Sequence, residues 1–320
     1  HGIVPSLGRL EGLPLGPRLP RAGVPRFTPQ PMPDTAPASP SLPRALLVLA
    51  RASNLPTVWS NVLAAALLAG GFSRGELALT LVAATLLYTG GMYLNDAFDA
   101  AFDRQFRPER PIPAGVVPAR LVWTLGLAML AAGLGLFLLL GTLAAVFAAL
   151  LTAAILVYDA VHKAVAFAPV LMALCRYLLF VAAAAVAGPP GGYVLWAATA
   201  LGGYVVGLSY VARRESAGGA LTWWPLLPLA APALLALLAN PPEELPRVLA
   251  PLGLYAMWTV RSLSHLWRAR PDPGRCVAAL LAGIPLVDLL ALAPDPWPYG
   301  GAFLAFFGLS LAFQKVVPAT

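Results

Sequence analysis

The sequence predicts an all-α polytopic membrane protein with nine or ten transmembrane helices, and three observations support this fold class. Of the 320 residues, 59% are hydrophobic and 11% are charged. A soluble domain normally has about a quarter of its residues charged. Mean hydropathy is +0.76, and apolar runs of about 20 residues, long enough to cross a bilayer, recur along most of the chain.

Residues 1–43 have a different composition from the rest of the chain. They are rich in proline and arginine and show no apolar periodicity. They also lack the run of about 7–15 apolar residues that a signal peptide requires. We therefore predict a disordered, proline-rich cytoplasmic tail over 1–43 and a membrane domain over 44–320.

Ten apolar segments follow a short surface helix predicted over 44–52. The segments cover 53–71, 77–98, 117–140, 142–160, 166–188, 193–211, 223–239, 248–267, 276–293 and 298–314. If the N-terminus is cytoplasmic, nearly all lysines and arginines outside the segments fall on the cytoplasmic side, and Arg74 and Arg247 fall on the other. This asymmetry agrees with the positive-inside rule and explains the net charge of +7 without nucleic-acid binding.

An acidic motif ends the second segment, where residues 93–115 read YLNDAFDAAFDRQFRPERPIPAG. At about 100° per residue, Asn95, Asp99 and Asp103 lie at about 260°, 300° and 340° from Asp96, within one arc. Carboxylates are costly near lipid, so they should face an aqueous cavity or bind a hard cation. Oxygen ligands of this kind suit Mg²⁺, which often bridges to substrate phosphates. The alternative is a solvated helix end paired with the arginines that follow.

The loop behind the acids is basic and stiff. Arg104, Arg107 and Arg110 provide guanidinium groups suited to phosphate oxygens. Prolines at 108, 111 and 113 prevent the helix from continuing. Acids that bind metal and bases that bind phosphate together predict a diphosphate site, although some of these arginines are also explained as ordinary membrane anchors.

The motif NDAFDAAFD followed by ERPIPAG resembles the first signature of the UbiA superfamily of intramembrane prenyltransferases, N-D-x-x-D-x-x-x-D. RASNLPTVWSN (51–61) is similar to the start of the family's first helix, and YDAVHK (158–163) to its Tyr…Lys element. The likeness covers roughly residues 44–315. The stretch FDRQFRPERPIPAG, with SYVARRE, also resembles the EboC-like branch.

The resemblance implies a bundle of about nine helices around a central cavity, in which Mg²⁺ and a prenyl diphosphate bind between two Asp-rich motifs. The first metal and diphosphate site would comprise Asn95, Asp96, Asp99 and Asp103, the three aspartates being catalytic. Asn54, Arg110 and Lys163 would contact the diphosphate, with Arg51 a weaker candidate.

The second Asp-rich motif is reduced in this chain. The corresponding stretch, 202–219, reads GGYVVGLSYVARRESAGG, and Glu215 is its only acid. Aligning Gly90-Gly91 with Gly202-Gly203 places Glu215 opposite Asp103, so Glu215 is predicted as a metal ligand. Arg213 and Arg214 either grip phosphate in place of a second metal or anchor the sixth helix at the membrane surface.

Three further residues are predicted near the substrate. Tyr93 and Tyr158 are the aromatic residues chosen to line the cavity, where an aromatic face can stabilise an allylic cation. Arg176 lies in the fifth span, where an unpaired cation is costly, so we predict that it faces the cavity and binds substrate rather than snorkels. Asp288, in the ninth span, is placed toward the opposite membrane face and receives no role.

These residues predict a Mg²⁺-dependent prenyltransferase that uses a prenyl diphosphate donor and an unidentified small or lipid-like acceptor, releasing diphosphate. The expected location is a bacterial inner or plasma membrane, with the site loops cytoplasmic, membrane lipids around the bundle and pathway proteins as possible partners. The reduced second motif leaves an alternative, a catalytically reduced component that binds or transports a prenylated lipid. A secondary transporter is disfavoured because no paired broken helices occur in related halves.

Overall fold

The computed structural model describes residues 41–217, 223–268, 270–293 and 297–319, without the side chains of 214–217, 225 and 297. The predicted tail over 1–43 therefore lies almost wholly outside the described residues. Within the described ranges the chain is helical and contains no strand. The predicted all-α class is confirmed.

Twelve helices are described. They are α1 Leu42–Leu49, α2 Leu55–Leu68, α3 Arg74–Phe106, α4 Ala119–Leu140, α5 Thr142–Val161, α6 Ala168–Ala184, α7 Gly192–Ala217, α8 Ala231–Ala239, α9 Leu245–Leu263, α10 Pro273–Ala282, α11 Ile284–Ala291 and α12 Trp297–Phe313. Short 3₁₀ turns cover Ala52–Asn54, Trp224–Ala230 and Ser264–Leu266. Helix occurs in the predicted surface segment and in all ten apolar segments.

The apolar helices differ in length. Among the described residues, five stretches are long and apolar enough to cross a membrane: α3, α4, α5, α7 as far as Arg213, and α10 with α11 over Pro273–Ala291. The stretches Ala168–Ala184, Leu226–Ala239 and Pro298–Phe313 are apolar but shorter. These helices are those of a multi-pass membrane protein, and the apolar helices differ in whether they are long enough to cross a bilayer alone.

Helix α3 is the longest element, and it carries the acidic motif. A capping box starts it: Glu76 N donates to Ser73 Oγ (3.2 Å), and Ser73 N donates to the Glu76 carboxylate (2.8 Å). It ends at Phe106, two residues before Pro108, because a proline disfavours helix at the residue before it. Its 33 residues span about 50 Å. This exceeds the hydrocarbon thickness of about 30 Å, so one end of α3 must extend beyond the hydrocarbon core.

Glycines allow α3 and α4 to approach closely. A Cβ on Gly126 would lie 2.8 Å from Leu94, and one on Gly133 would lie 2.8 Å from Leu87. A Cβ on Gly90 would lie 2.9 Å from the Gly126 carbonyl oxygen. This close contact fixes the position of α3, and with it the acidic motif. The main core joins these two helices to α6, α7 and α11, whose Phe180, Leu201 and Leu290 are fully buried.

Candidate active site

A cavity of about 760 Å³ lies between α3, α5, α6, α7 and the α10–α11 pair. Its volume is within the usual range for a small-molecule site. Polar residues, including Asn95, Asp99 and Lys163, line one part, and apolar residues such as Ile155 and Leu179 line another. The cavity can therefore accommodate a ligand with one charged and one hydrocarbon portion.

The acidic stripe of α3 divides between two environments. Asn95 and Asp99 line the cavity. Asp96 and Asp103 lie at the edge of the same arc, where Asp96 meets Arg110 of the loop after α3. Asp96 and Asp103 are 3% and 2% exposed, so they do not form a solvated helix end. The pairing with following arginines, which the sequence left as the alternative, occurs at Asp96.

Asp99 is paired with the short loop between α5 and α6. Lys163 Nζ lies 2.7 Å from Asp99 Oδ1, and His162 Nε2 lies 3.5 Å from Asp99 Oδ2. Lys163 also lies over the ring of Phe102, 3.7 Å from its centroid. Burial lowers the pKa of His162, but the hydrogen bond and the charge of Asp99 outweigh burial and raise that pKa above its usual value. Tyr158 stacks on His162 and lines the cavity, as predicted.

Asp96 is paired with Arg110, and Arg51 lies next to both Asp96 and Asn95. Arg110 Nη1 is 2.9 Å from Asp96 Oδ1, whereas Arg51 Nη2 is 4.0 Å from the same oxygen. Arg51 Nη2 also donates to Asn95 Oδ1 at 3.2 Å. Arg51 adopts a left-handed backbone (φ 44°, ψ 49°), which is uncommon for a side-chain-bearing residue. Two of the predicted arginines lie in the loop after α3: Arg107 lines the cavity, and Arg110 forms an ion pair with Asp96.

Asp159 is a site residue that sequence reasoning missed. It is 4% exposed, it lines the cavity, and its Oδ1 accepts a hydrogen bond from Asn95 Nδ2 at 3.1 Å. Its Oδ2 is buried and has no hydrogen-bond partner in the described structure. The signal was present in YDAVHK, where an aspartate directly follows Tyr158 inside an apolar span.

The donor chemistry around Asn95 fits Mg²⁺. Asn95, Asp99 and Asp159 offer oxygen donors to the cavity, and Asp159 Oδ2 is buried without a hydrogen-bond partner among the described residues. Asp103 Oδ1, about 12 Å farther along α3, is also buried without a partner among them. No three side chains among the described His, Cys, Asp and Glu converge into a ready-made metal cluster. Mg²⁺ does not require one, because it commonly uses one or two carboxylates together with waters and substrate phosphates.

The α7 side of the site is described only in part. Arg213 lines the cavity, and its guanidinium donates to the carbonyl groups of Val165 and Ala166 in the α5–α6 loop. The side chains of Arg214 and Glu215 lie outside the described residues. The predicted roles of Arg214 and Glu215 stay predictions.

Three other predicted residues have different surroundings. Asn54 lines the cavity, and its Nδ2 donates to the Ala319 carbonyl oxygen at 3.0 Å. Arg176 lines the cavity, and its contact with substrate stays a prediction. Tyr93 was chosen wrongly as a cavity residue: it is buried against α1, where its hydroxyl donates to the Leu46 carbonyl oxygen. The reason is its position on α3, about 120° around the helix from Asp99.

Comparisons with known proteins concern the sequence and the fold of the chain. A family model described as the UbiA prenyltransferase family matches residues 54–284. Digeranylgeranylglyceryl phosphate synthase of Ignicoccus hospitalis is 41% identical over 107 residues, 33% of this chain and 35% of that protein. The enzyme of the same name from Natronomonas pharaonis is 36% identical over 121 residues, 38% of this chain and 44% of that protein. The matched region thus spans less than half the length of either relative.

A solved structure concerning digeranylgeranylglyceryl phosphate synthase has the same fold. It superposes with a TM-score of 0.56 at 16% sequence identity, and the match covers 85% of this chain and 99% of the solved one. At this identity the likeness concerns the fold alone.

Proposed function

This chain belongs to the UbiA prenyltransferase family, and we propose that it transfers a prenyl group from a prenyl diphosphate to an acceptor within the cavity, with Mg²⁺ bound. The observation that carries this proposal is the position of Asp99 and Lys163 at the polar part of a cavity whose other lining is largely apolar. A prenyl diphosphate has the same division between a charged end and a hydrocarbon chain.

The diphosphate would bind among the bases that line the cavity. Lys163, Arg107 and Arg51 all contribute to that lining, and charged N–H donors make strong hydrogen bonds to phosphate oxygens. Lys163 is paired with Asp99, so a diphosphate that binds Lys163 would share or replace this anionic partner. The prenyl chain would contact Ile155 and Leu179, where burial of hydrocarbon is favourable.

Asn95 and Asp99, which face the cavity, would hold Mg²⁺, with Asp96, Asp103 and Glu215 as further predicted ligands. When bound, the ion would stabilise the negative charge that develops on the departing diphosphate. Asp159 accepts from the Asn95 amide nitrogen and so directs Asn95 Oδ1 toward Arg51. This orientation leaves Asn95 Oδ1 on the side of the site where the diphosphate would bind.

In the reaction, the bond between C1 of the donor and its bridging oxygen breaks, and the electron pair leaves with the diphosphate. The resulting allylic cation lies among aromatic residues, since Tyr88, Phe102 and Tyr158 line the cavity, and a ring face stabilises a cation. The nucleophilic atom of the acceptor then forms a bond to C1, and its proton passes to the released diphosphate. Lys163 and Arg51 would stay with the departing diphosphate and offset its charge.

The relatives suggest which acceptor to test first. Both reported relatives carry a name that specifies a glyceryl phosphate product with two geranylgeranyl chains. A geranylgeranyl donor with a glyceryl phosphate lipid is therefore the first pair, ahead of aromatic acceptors. The bacterial membrane and the EboC-like branch stay predictions, and both reported relatives are archaeal.

Diphosphate release from radiolabelled geranylgeranyl diphosphate by the purified protein tests the proposal. We expect release that requires both Mg²⁺ and an acceptor. We expect Asp99→Asn to lower the rate by about 100-fold or more, as loss of a major electrostatic group does. Glu243→Gln, an exposed carboxylate far along the chain, serves as the matched control. Donor binding with Mg²⁺ but no turnover with any acceptor would favour the alternative, a component that binds or transports a prenylated lipid.

A further inference from the structure

A buried polar chain joins α2, α6 and α11 beside the cavity. Asp288 of α11, 1% exposed, accepts hydrogen bonds from Ser60 Oγ and from Asn61 Nδ2, the latter at 3.0 and 2.8 Å. Asn61 Oδ1 in turn accepts from Arg176 Nη1 at 2.8 Å. A carboxylate only accepts hydrogen bonds. Asp288 therefore fixes the orientation of the Asn61 amide, and the amide oxygen fixes the position of the Arg176 guanidinium.

The Arg176 guanidinium has more N–H donors than its hydrogen bonds to Asn61 and Thr57 use. Its Nη2 donates to Thr57 Oγ1 at 2.8 Å, and Thr57 uses its own proton to donate to the Asn54 carbonyl oxygen at 2.7 Å. A guanidinium has five N–H groups, so the bonds to Asn61 and Thr57 leave three. In the described part of the chain no carboxylate oxygen lies within 4.0 Å of the Arg176 guanidinium nitrogens. The guanidinium is thus oriented but not neutralised by direct contact.

This cation lies in an apolar setting that makes an unpaired charge unfavourable. Leu179, one turn along α6, and Ile284, one turn before Asp288, line the cavity together with Arg176. A charge at membrane depth is costly unless it is paired. The Asp288 carboxylate, one amide away, offsets this charge only in part because it makes no direct contact with Arg176. If the donor ionises in this cavity, a guanidinium without a directly paired anion also repels the allylic cation across a medium of low dielectric constant. An anion beside Arg176 removes both penalties.

The diphosphate end of the donor is a poor candidate for that anion. The bases that would bind it, Arg51 and Lys163, surround Asn95 and Asp99. Tyr88 separates the two regions: its hydroxyl donates to the Arg51 carbonyl oxygen at 3.4 Å, and its ring lies 5.7 Å from Arg176 Cζ. Thr57 and Asn61 are three and seven residues beyond Asn54, or about 5 and 10 Å farther along α2.

On the premise of the prenyl transfer proposed above, we propose that Arg176 binds an anionic oxygen group of the acceptor, a carboxylate or a phosphate. Asp288 is a positioning residue that acts through Asn61. The nucleophile is a different atom of the acceptor: that atom bonds to C1 of the donor and gives its proton to the released diphosphate, while the anionic group stays paired with Arg176. The acceptor class is therefore an anionic molecule.

Two matched acceptor pairs test this inference and distinguish phosphate from carboxylate. One pair is geranylgeranylglyceryl phosphate and the same prenylglycerol without phosphate; the other is 4-hydroxybenzoate and its methyl ester. Binding is measured with Mg²⁺ and geranylgeranyl thiolodiphosphate, a slowly reacting donor analogue, and transfer is measured with the true donor. We expect one anionic member to bind and react at least about tenfold better than its neutral partner.

Variants of Arg176 locate the origin of that preference. We expect Arg176→Gln to lower kcat/KM for the preferred anionic acceptor by about 100-fold, mostly through KM, and to leave analogue affinity within about threefold. Arg176→Lys, which keeps the charge but not the fork geometry, should show a smaller loss. It keeps the test interpretable if the glutamine variant folds poorly. Arg247→Gln, an exposed arginine at the start of α9, is the matched control.

Asp288→Asn tests the positioning role. It should raise the KM for the anionic acceptor by about tenfold while kcat and analogue affinity stay unchanged, a split that general destabilisation does not produce. The inference is overturned if neither anionic compound binds or reacts better than its neutral partner, or if Arg176→Gln weakens the analogue as much as the acceptor. Failure of the proposed function differs from both outcomes, because it appears as no transfer by the wild type to any of the four compounds, whether or not the donor analogue binds. The binding comparison then still decides the inference.

Discussion

Lys163 Nζ lies 2.7 Å from Asp99 Oδ1, so the loop between α5 and α6 is joined by charge to the acidic motif on α3. The same ammonium group lies over Phe102, one turn from Asp99. The loop that carries the base is thereby positioned on the acid and on an aromatic side chain of the same helix. Both groups face the cavity.

This pairing predicts the effect of replacing Lys163. Lys163→Met leaves Asp99 without its nearest cation and removes a phosphate partner, so kcat/KM for the donor should fall by about 100-fold. Lys163→Arg should recover part of the activity. The measurement is steady-state diphosphate release at varied donor concentration. Lys315→Met, at an exposed position, is the control, and a loss of the same size in that variant contradicts the assignment.

Arg110 should contribute to the stability of the fold, whereas Arg107 should contribute to donor binding. Arg110→Gln leaves the buried Asp96 carboxylate without its 2.9 Å partner, and it should lower the free energy of unfolding by about 1–3 kcal/mol. Arg107→Gln should leave the melting temperature nearly unchanged and weaken donor binding. Thermal melting in detergent and donor-analogue titration separate the two effects. Asp96→Asn combined with Arg110→Gln should regain part of the lost stability.

Close packing of α3 on α4 gives a stability prediction. Gly126→Ala places a methyl group 2.8 Å from Leu94, and overpacking of this kind should cost about 1–3 kcal/mol. Gly135→Ala, on the same helix, meets nothing within 4 Å and should be neutral or stabilising by up to about 1 kcal/mol. Melting temperatures of both variants are the measurement. Equal effects would mean that the helices are not in such close contact.

Asp159 should act through Asn95. Asp159→Ala removes the acceptor of the Asn95 amide, so Asn95 and Arg51 lose their fixed positions, and donor affinity should fall by about tenfold. Asp159→Asn can still accept through its side-chain oxygen and should retain most of the affinity. Titration with a donor analogue compares the two variants. If the alanine variant binds as tightly as the wild type, the amide contact has no role in donor binding.

Helix existence was predictable because apolar runs near membrane length leave few alternatives to a helix. The breaks inside these runs were harder to predict. The predicted span 276–293 contains two helices, α10 and α11, which are joined at Gly283, and Pro285 is the second residue of α11. Glycine and proline mark such a break, but hydropathy alone does not show where a helix turns.

The grouping of the acids was predictable, whereas their partners were not. Helical spacing correctly placed Asn95, Asp96, Asp99 and Asp103 on one arc, but the spacing cannot show which neighbouring element faces each part of that arc. The structure shows that Asp96 pairs with Arg110 and that Asp99 pairs with Lys163. Asp288 and Asn61 are 227 residues apart in sequence. A contact at that separation depends on how α2 packs on α11, which no local pattern encodes.

The length of α3 has a consequence for how the products leave. Because the helix is longer than the hydrocarbon core is thick, its last turns, with Asp99 and Asp103, lie near the water boundary rather than at mid-bilayer. A released diphosphate then has a short route to water, while a coupled product with a longer hydrocarbon tail partitions toward lipid. Under the proposed reaction, the placement of one helix end thus separates the two products by solubility. The released diphosphate and the coupled product then rarely meet again, which disfavours the reverse reaction.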